Sequence, residues 1–216
     1  DARDKVTGSA VFADDLQFGP GLLHARAVRS PHPHALIKKI DINEAQAMPG
    51  VKAIATGDDF DGMLGLYLMD RYILCRDRVR YIGDPVAVVA AETVEIAEEA
   101  VKKVRVDYEI LPAVIDPEDG LKPDAPILHP DLGSYVYPNF IFPEAGTNRA
   151  NQFKVRKGNV DEGFKLCTAI VERKYRVPHI QHVPIEPHVA VAKWDESSNI
   201  TLWASSQSPF AQRNLI

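Results

Sequence analysis

The stretch PVAVVAAETVEIAEEAVKKVRVDYEI, residues 85–110, constrains the chain more than any other, because its hydrophobic period changes twice. It opens with an almost wholly apolar run, residues 85–91, which predicts a strand covered on both faces. Ile96, Ala97, Ala100, Val101 and Val104 then recur at helical spacing, with glutamates early and lysines late, the order that suits a helix dipole. Val104, Val106 and Tyr108 alternate as a strand does. A strand, a helix and a strand in succession predict a mixed α/β unit.

The flanking text extends that reading. LLHARAVRS (22–30) alternates apolar and polar residues as a half-buried strand, and ALIKKIDI (35–42) follows the turn PHPH as a second strand. NEAQAMPG predicts a short helix with Asn43 as its N-cap and a stop at Pro49 and Gly50, and VKAIAT is the next strand. Gly83, in GDP, supplies the turn before the apolar run. Residues 1–122 thus read as one α/β domain. Residues 123–157, rich in Pro, Gly, Asp and Asn with isolated aromatics, predict an extended, surface-hugging linker. A second domain is expected over 158–216. It starts with a short helix over 159–167 and continues with three strand signals, AIVERKYRV, HVAVAKW and NITLWASS, the last two joined by the hairpin loop DESS. The opening DARDKVTG lacks a signal peptide, and a helical pattern is only beginning at SPFAQRNLI, so both ends read as cuts in a longer chain.

Charge and motif content narrow the function classes. A net charge of -5 over 216 residues, with Lys and Arg scattered, gives no footprint for nucleic acid or an anionic membrane. Small molecules or other proteins are the expected partners. Cys75 and Cys167 lie far apart and form no CxxC, so neither a zinc ribbon nor an iron–sulfur ligand set is encoded; two reduced, buried thiols in a cytoplasmic protein are expected. No run of eighteen apolar residues occurs. DGMLGLYLMD matches neither a dinucleotide loop nor a P-loop. Ser205, Ser206 and Ser208 crowd Gln207 without a G-x-S-x-G elbow, which argues against a hydrolase triad. The paired acids Asp58 and Asp59, and Glu98 and Glu99, read as solvated faces.

HIQHVPIEPHVAVA, residues 179–192, raises the question of a metal site, since His179, His182, Glu186 and His188 are the right ligand types. Pro184 and Pro187 forbid the helix that would gather them. On an extended chain His182 and Glu186 stand about 13 Å apart, at roughly 3.3 Å per residue. Only Glu186 and His188, two apart on one side of a strand, could approach a common atom. No metal ligand set is expected here, and the stretch reads as polar residues at a strand-loop-strand junction.

Several long motifs, in order, resemble one family. DKVTGSAVFADD, RSPHPHALI, MPGVKAIATGDD, the run from YIGDPVAVVAAETVEIAEEAV to ILPAVIDPEDGL, HIQHVPIEPHVAVAKWD and ITLWASSQSPF are similar to the molybdenum subunit of the xanthine dehydrogenase and aldehyde oxidoreductase family. The resemblance covers nearly the whole chain. It implies a hammerhead-like α/β domain followed by the start of a second mixed α/β domain that binds molybdopterin. It also implies a molybdenum ion held by the dithiolene of a pyranopterin and not by histidine, and the oxidative hydroxylation, with water-derived oxygen, of an electron-poor carbon in a purine, aldehyde or similar compound. Iron–sulfur (2Fe-2S) and flavin (FAD) groups on partner subunits or domains, an oligomeric full enzyme and a cytoplasmic location are implied too. The family's strand-end glutamine, which donates its amide to an oxygen on molybdenum, corresponds to Gln207, and Glu186 is assigned to hydrogen bonding within the fold. The family's glycine-rich segment and general base are expected downstream of Ile216, so the fragment alone is expected to be inactive. The alternative is a non-catalytic module that docks partner subunits and lines the substrate funnel. Purines, aldehydes, nicotinate-like heterocycles and carbon monoxide all remain open as substrates.

Overall fold

Every backbone donor and acceptor of a strand buried among apolar side chains needs a partner, and the apolar run Pro85–Ala91 finds partners on both edges. In the computed structural model, which describes residues 2–215, this strand is the centre of a three-stranded antiparallel sheet. The chain divides into two compact units, Gly19–Phe153 and a second made of the residues up to Phe18 with those from Lys154 on. In chain order the elements are α1 (Ala2–Thr7), β1 (His24–Arg29), β2 (Ala35–Asp41), α2 (Asn43–Gln46), β3 (Val51–Thr56), β4 (Arg78–Val79), β5 (Pro85–Ala91), α3 (Val94–Lys103), β6 (Arg105–Ile110), α4 (Pro117–Gly120), α5 (Val160–Lys165), β7 (Ala190–Trp194), β8 (Ile200–Ala204) and α6 (Pro209–Leu215).

In the unit Gly19–Phe153, β5 lies between β1 and β3, and β2 lies between β4 and β6. The register pairs Val28 with Ala87 and Ile54 with Val89. Val86, Ala87, Val89 and Ala91 are buried while Val88 and Ala90 are half-buried, so one face of β5 is closed more completely than the other. Helix α3 packs against β1 and β5, burying Ala97 and Ala100. The Thr93 hydroxyl caps α3 by accepting from the Ile96 amide at 3.3 Å, and Lys102 and Lys103 occupy its last turn. Val28, Ala35, Val79, Val86 and Val89 from both sheets, Ala100 from the helix and Val104 just past its end share one core. At about 25 cal/mol per Å² of apolar surface, such valines and alanines contribute through number, not size.

Two glycines are required around this core, one by a close approach and one by a turn. Gly57 meets the carbonyl oxygens of Leu74 and Cys75, where a Cβ would come within 2.8 and 2.7 Å of them. Gly83, at φ +95, makes the turn into β5, its amide donating to the Ser30 carbonyl at 2.8 Å and its carbonyl accepting from Arg29 Nη1 at 2.9 Å.

Residues 123–153 contain no helix or strand, yet fall within the same unit, with Leu132 and Tyr135 buried. Asn148 holds them in place: its Oδ1 accepts from the Leu128 amide at 2.8 Å, and its Nδ2 donates to the carbonyls of Gly120 and Pro126 at 3.1 and 2.8 Å.

The other unit is built around the hairpin β7–β8, in register from Ala190 opposite Ala204 to Trp194 opposite Ile200. The Asp195 carboxylate shapes its loop, accepting from the amides of Ser197 and Asn199 at 2.9 Å each. The hydrogen bond from the Asn199 backbone amide, first among several causes, holds the Asp195 carboxyl below its ordinary range. Helix α5 is capped by Asn159, whose side-chain oxygen accepts from the amides of Asp161 and Glu162.

Three expectations are corrected. Asn43 is the first residue of α2 and not its cap; Asp41 Oδ1 accepts from the Asn43 amide at 3.1 Å, because its carboxylate reaches the free end of the helix more readily. Residues 169–177, AIVERKYRV, form no strand, because no described segment offers the ladder partner a strand requires. Cys75 is buried, but Cys167 is exposed just past the C-terminal end of α5, where no packed element covers it.

Candidate functional site

Gln207 occupies the bend between the end of β8 and the start of α6. Two devices make that bend. First, the hairpin ladder continues one step beyond its last strand pair, the Ser205 amide donating to the Val189 carbonyl at 3.1 Å. The Ser205 hydroxyl adds two bonds on the same side, donating to the Pro187 carbonyl at 3.0 Å and accepting from the Val189 amide at 3.3 Å. Second, Ser206 Oγ accepts from the Ser208 amide at 3.1 Å, a local side-chain turn that reverses the chain. Pro209 then opens α6 with its φ already helical, and the Gln212 amide closes the first turn on the Ser208 carbonyl at 3.0 Å.

Held this way, Gln207 is exposed and its side-chain amide makes no hydrogen bond among the described residues. From Asn199 to the last residue the sequence contains no Asp or Glu, so the bend's own stretch of chain carries only neutral side chains and, at Arg213, a positive one. This donor fits an electron-rich oxygen, because an amide N–H can bond to it without adding charge. The residues present therefore fit, at this one point, the molybdenum-pyranopterin that the resemblance implies. Serines 205 and 206 are the supporting residues that motif inspection passes over. Their signal is positional, since hydroxyls directly after a strand are the side chains able to bond to nearby backbone.

The segment before β7 is placed differently from the sequence reading in part. It is not helical, as Pro184 and Pro187 require, and Val183 stands at φ +49. Glu186 lies in a bend and His188 in irregular chain, so the alternation of a strand does not bring the two together; the ladder begins only at Ala190. His179, His182, Glu186 and His188 are all exposed. The Glu186 carboxylate is exposed and makes no hydrogen bond among the described residues, where one within the fold is expected from the resemblance. Among the described residues no three His, Cys, Asp or Glu side chains converge as a metal ligand set.

The unit Gly19–Phe153 holds a cavity of about 370 Å³ lined by Met63, Met69, Tyr72, Asp77, Arg80, Asp131, Ser134, Tyr135 and Val136. Arg80 is tied at its rim, Nε donating to the Leu128 carbonyl at 2.9 Å and the backbone amide to Asp84 Oδ2 at 2.9 Å. His129 Nδ1 lies 3.1 Å from the Tyr135 hydroxyl. Burial, and then the Arg80 charge, push the His129 imidazole below its ordinary value, so it is held neutral. Nearby, burial and then the Asp84 charge push the Cys75 thiol up to about 12, which leaves it protonated and unreactive. Among the described residues no helix is long and apolar enough to cross a membrane.

Residues 7–112 match the family profile described as aldehyde oxidase and xanthine dehydrogenase, a/b hammerhead domain. Residues 141–216, which include Gln207, match the molybdopterin cofactor-binding domain. The chain is 36% identical over 215 residues to a probable xanthine dehydrogenase subunit of Bacillus subtilis, covering 99% of this chain and 27% of that protein. It is 34% identical to the nicotinate dehydrogenase large molybdopterin subunit of Eubacterium barkeri, covering 99% and 47%. Among solved structures, the reconstituted CO dehydrogenase from Oligotropha carboxidovorans superposes with a TM-score of 0.82 at 28% identity, covering 99% of this chain and 27% of that one. The aldehyde oxidoreductase from Desulfovibrio gigas does so at 0.76 and 30%, covering 93% and 22%. The chain thus spans from 27% to 47% of the length of these two curated relatives. With both profiles in sequence and mixed helices and antiparallel sheets in the matching fold, the chain belongs to the aldehyde oxidase and xanthine dehydrogenase family, as part of its molybdenum-binding large subunit.

Proposed function

We propose that the protein acts as a molybdenum hydroxylase on an electron-poor carbon of a purine, an aldehyde or a related compound, with iron–sulfur and flavin partner subunits in the cytoplasm. The observation that carries this reading is the exposed Gln207 amide, which makes no hydrogen bond among the described residues, inside the stretch matching the molybdopterin cofactor-binding domain. The bound molybdenum-pyranopterin supplies the oxygen transfer and accepts the electrons. The role of this chain is narrower: the bend presents a neutral donor to the cofactor's oxygen and fixes its orientation without altering its charge. Relatives named for xanthine, nicotinate and carbon monoxide span the range of substrates such a site serves.

The test uses the full-length subunit assembled with its partners. Gln207→Ala is expected to lower turnover or molybdenum content about 10- to 100-fold, the usual cost of losing one hydrogen bond around a metal centre. Gln207→Glu is expected to be at least as harmful, since a carboxylate presents negative charge to an oxygen already rich in electrons. Full metal loading with wild-type turnover in Gln207→Ala overturns the reading.

A further inference from the structure

We infer that Ser205 is a positioning residue for Gln207, clasping the bend that carries the amide to residues 187–189; this rests on the reading of Gln207 as the cofactor-facing donor. The hairpin alone does not fix the bend. Its last strand pair joins Ala190 to Ala204, and Gln207 lies three residues farther on, where no ladder bond reaches it. Between them the one side chain that grips another segment is Ser205. Its hydroxyl has one hydrogen to give and lone pairs to accept, and both capacities are used on the same neighbour, the Pro187 carbonyl at 3.0 Å and the Val189 amide at 3.3 Å.

The choice of those two groups is meaningful. Pro187 can donate no backbone hydrogen bond, so the segment before β7 cannot extend the ladder through that residue. The serine hydroxyl takes over where the ladder fails, joining a backbone acceptor and a backbone donor that lie two residues apart. Ser206 contributes a different, purely local bond to the Ser208 amide, which bends the chain but anchors it to nothing else. The clasp therefore sets where the bend stands relative to the hairpin, and the local turn sets its shape. An alanine at 205 leaves the backbone ladder bond to Val189 intact and removes only the clasp.

The experiment compares Ser205→Ala, Ser205→Thr, Gln207→Ala and the double variant Ser205→Ala with Gln207→Ala, in the full-length enzyme with its partners. The readouts are kcat, KM, molybdenum per polypeptide, thermal midpoint and amide hydrogen exchange over residues 186–192. Ser205→Ala is expected to lower kcat about 3- to 10-fold, the effect of one or two lost hydrogen bonds, with KM and thermal midpoint unchanged and faster exchange over 186–192. Ser205→Thr, which keeps the hydroxyl, is expected to restore both values. The double variant is expected to be no worse than Gln207→Ala, because a clasp acting through Gln207 has nothing left to position. Wild-type kcat, metal content and exchange in Ser205→Ala, beside an impaired Gln207→Ala, overturn the clasp alone. So do losses that multiply in the double variant or that follow a lowered thermal midpoint, and so does a threonine variant as impaired as the alanine. A Gln207→Ala enzyme indistinguishable from wild type removes the underlying reading instead.

Discussion

Arg78 Nη1 and His34 Nε2 stand 3.1 Å apart, and the other nitrogen of the same imidazole, Nδ1, lies 2.6 Å from the Pro112 carbonyl oxygen. A carbonyl can only accept, so Nδ1 carries the hydrogen, and Nε2 is left to accept from the guanidinium. The ring is thereby fixed as the neutral Nδ1–H tautomer, and it ties β4, the start of β2 and the chain beyond β6 together at one end of their sheet. His34 is 2% exposed, so water cannot replace either partner. His34→Ala is expected to destabilise the unit by roughly 2–3 kcal/mol, the cost of leaving buried polar groups unpaired. A shift of the urea midpoint at constant slope checks this, and an unchanged midpoint refutes it.

The two thiols should differ sharply in reactivity. Cys75 is buried with its pKa pushed up to about 12, whereas Cys167 is exposed. Under native conditions an alkylating reagent at neutral pH is expected to modify Cys167 and spare Cys75, and unfolding is expected to release the second. Mass mapping of the labelled peptides checks the order, and equal native labelling of both contradicts the burial of Cys75.

His129 should make stability depend on pH in a known direction. Its folded value is lowered below 6.5, so the unfolded chain binds the proton more tightly than the folded one. The contribution is fully present above about pH 6.5 and declines as pH falls through that value toward the lower folded one. His129→Gln is expected to flatten the stability curve between about pH 7.5 and 5 relative to wild type. Denaturant midpoints measured in steps across that window decide it, and parallel curves rule the effect out.

Sequence pattern alone determined the elements whose stability is local. The apolar run 85–91, the amphipathic helix after it and the hairpin over 190–204 all appear where periodicity and turn residues place them, because their signals lie within the elements themselves. The prolines at 184 and 187 likewise exclude a helix without help from any distant residue. What only tertiary structure decided depends on partners remote in sequence. Residues 169–177 alternate well enough for a strand but meet no ladder partner among the described residues, and Cys167 is left uncovered where Cys75 is enclosed. The role proposed for Gln207 comes from family resemblance. The two bonds of Ser205 are not legible in the sequence, because they span 18 and 16 residues and exist only once the hairpin has brought those backbones together. Local periodicity specifies which face is apolar, while hydrogen bonds and burial are settled by which segments come to lie side by side.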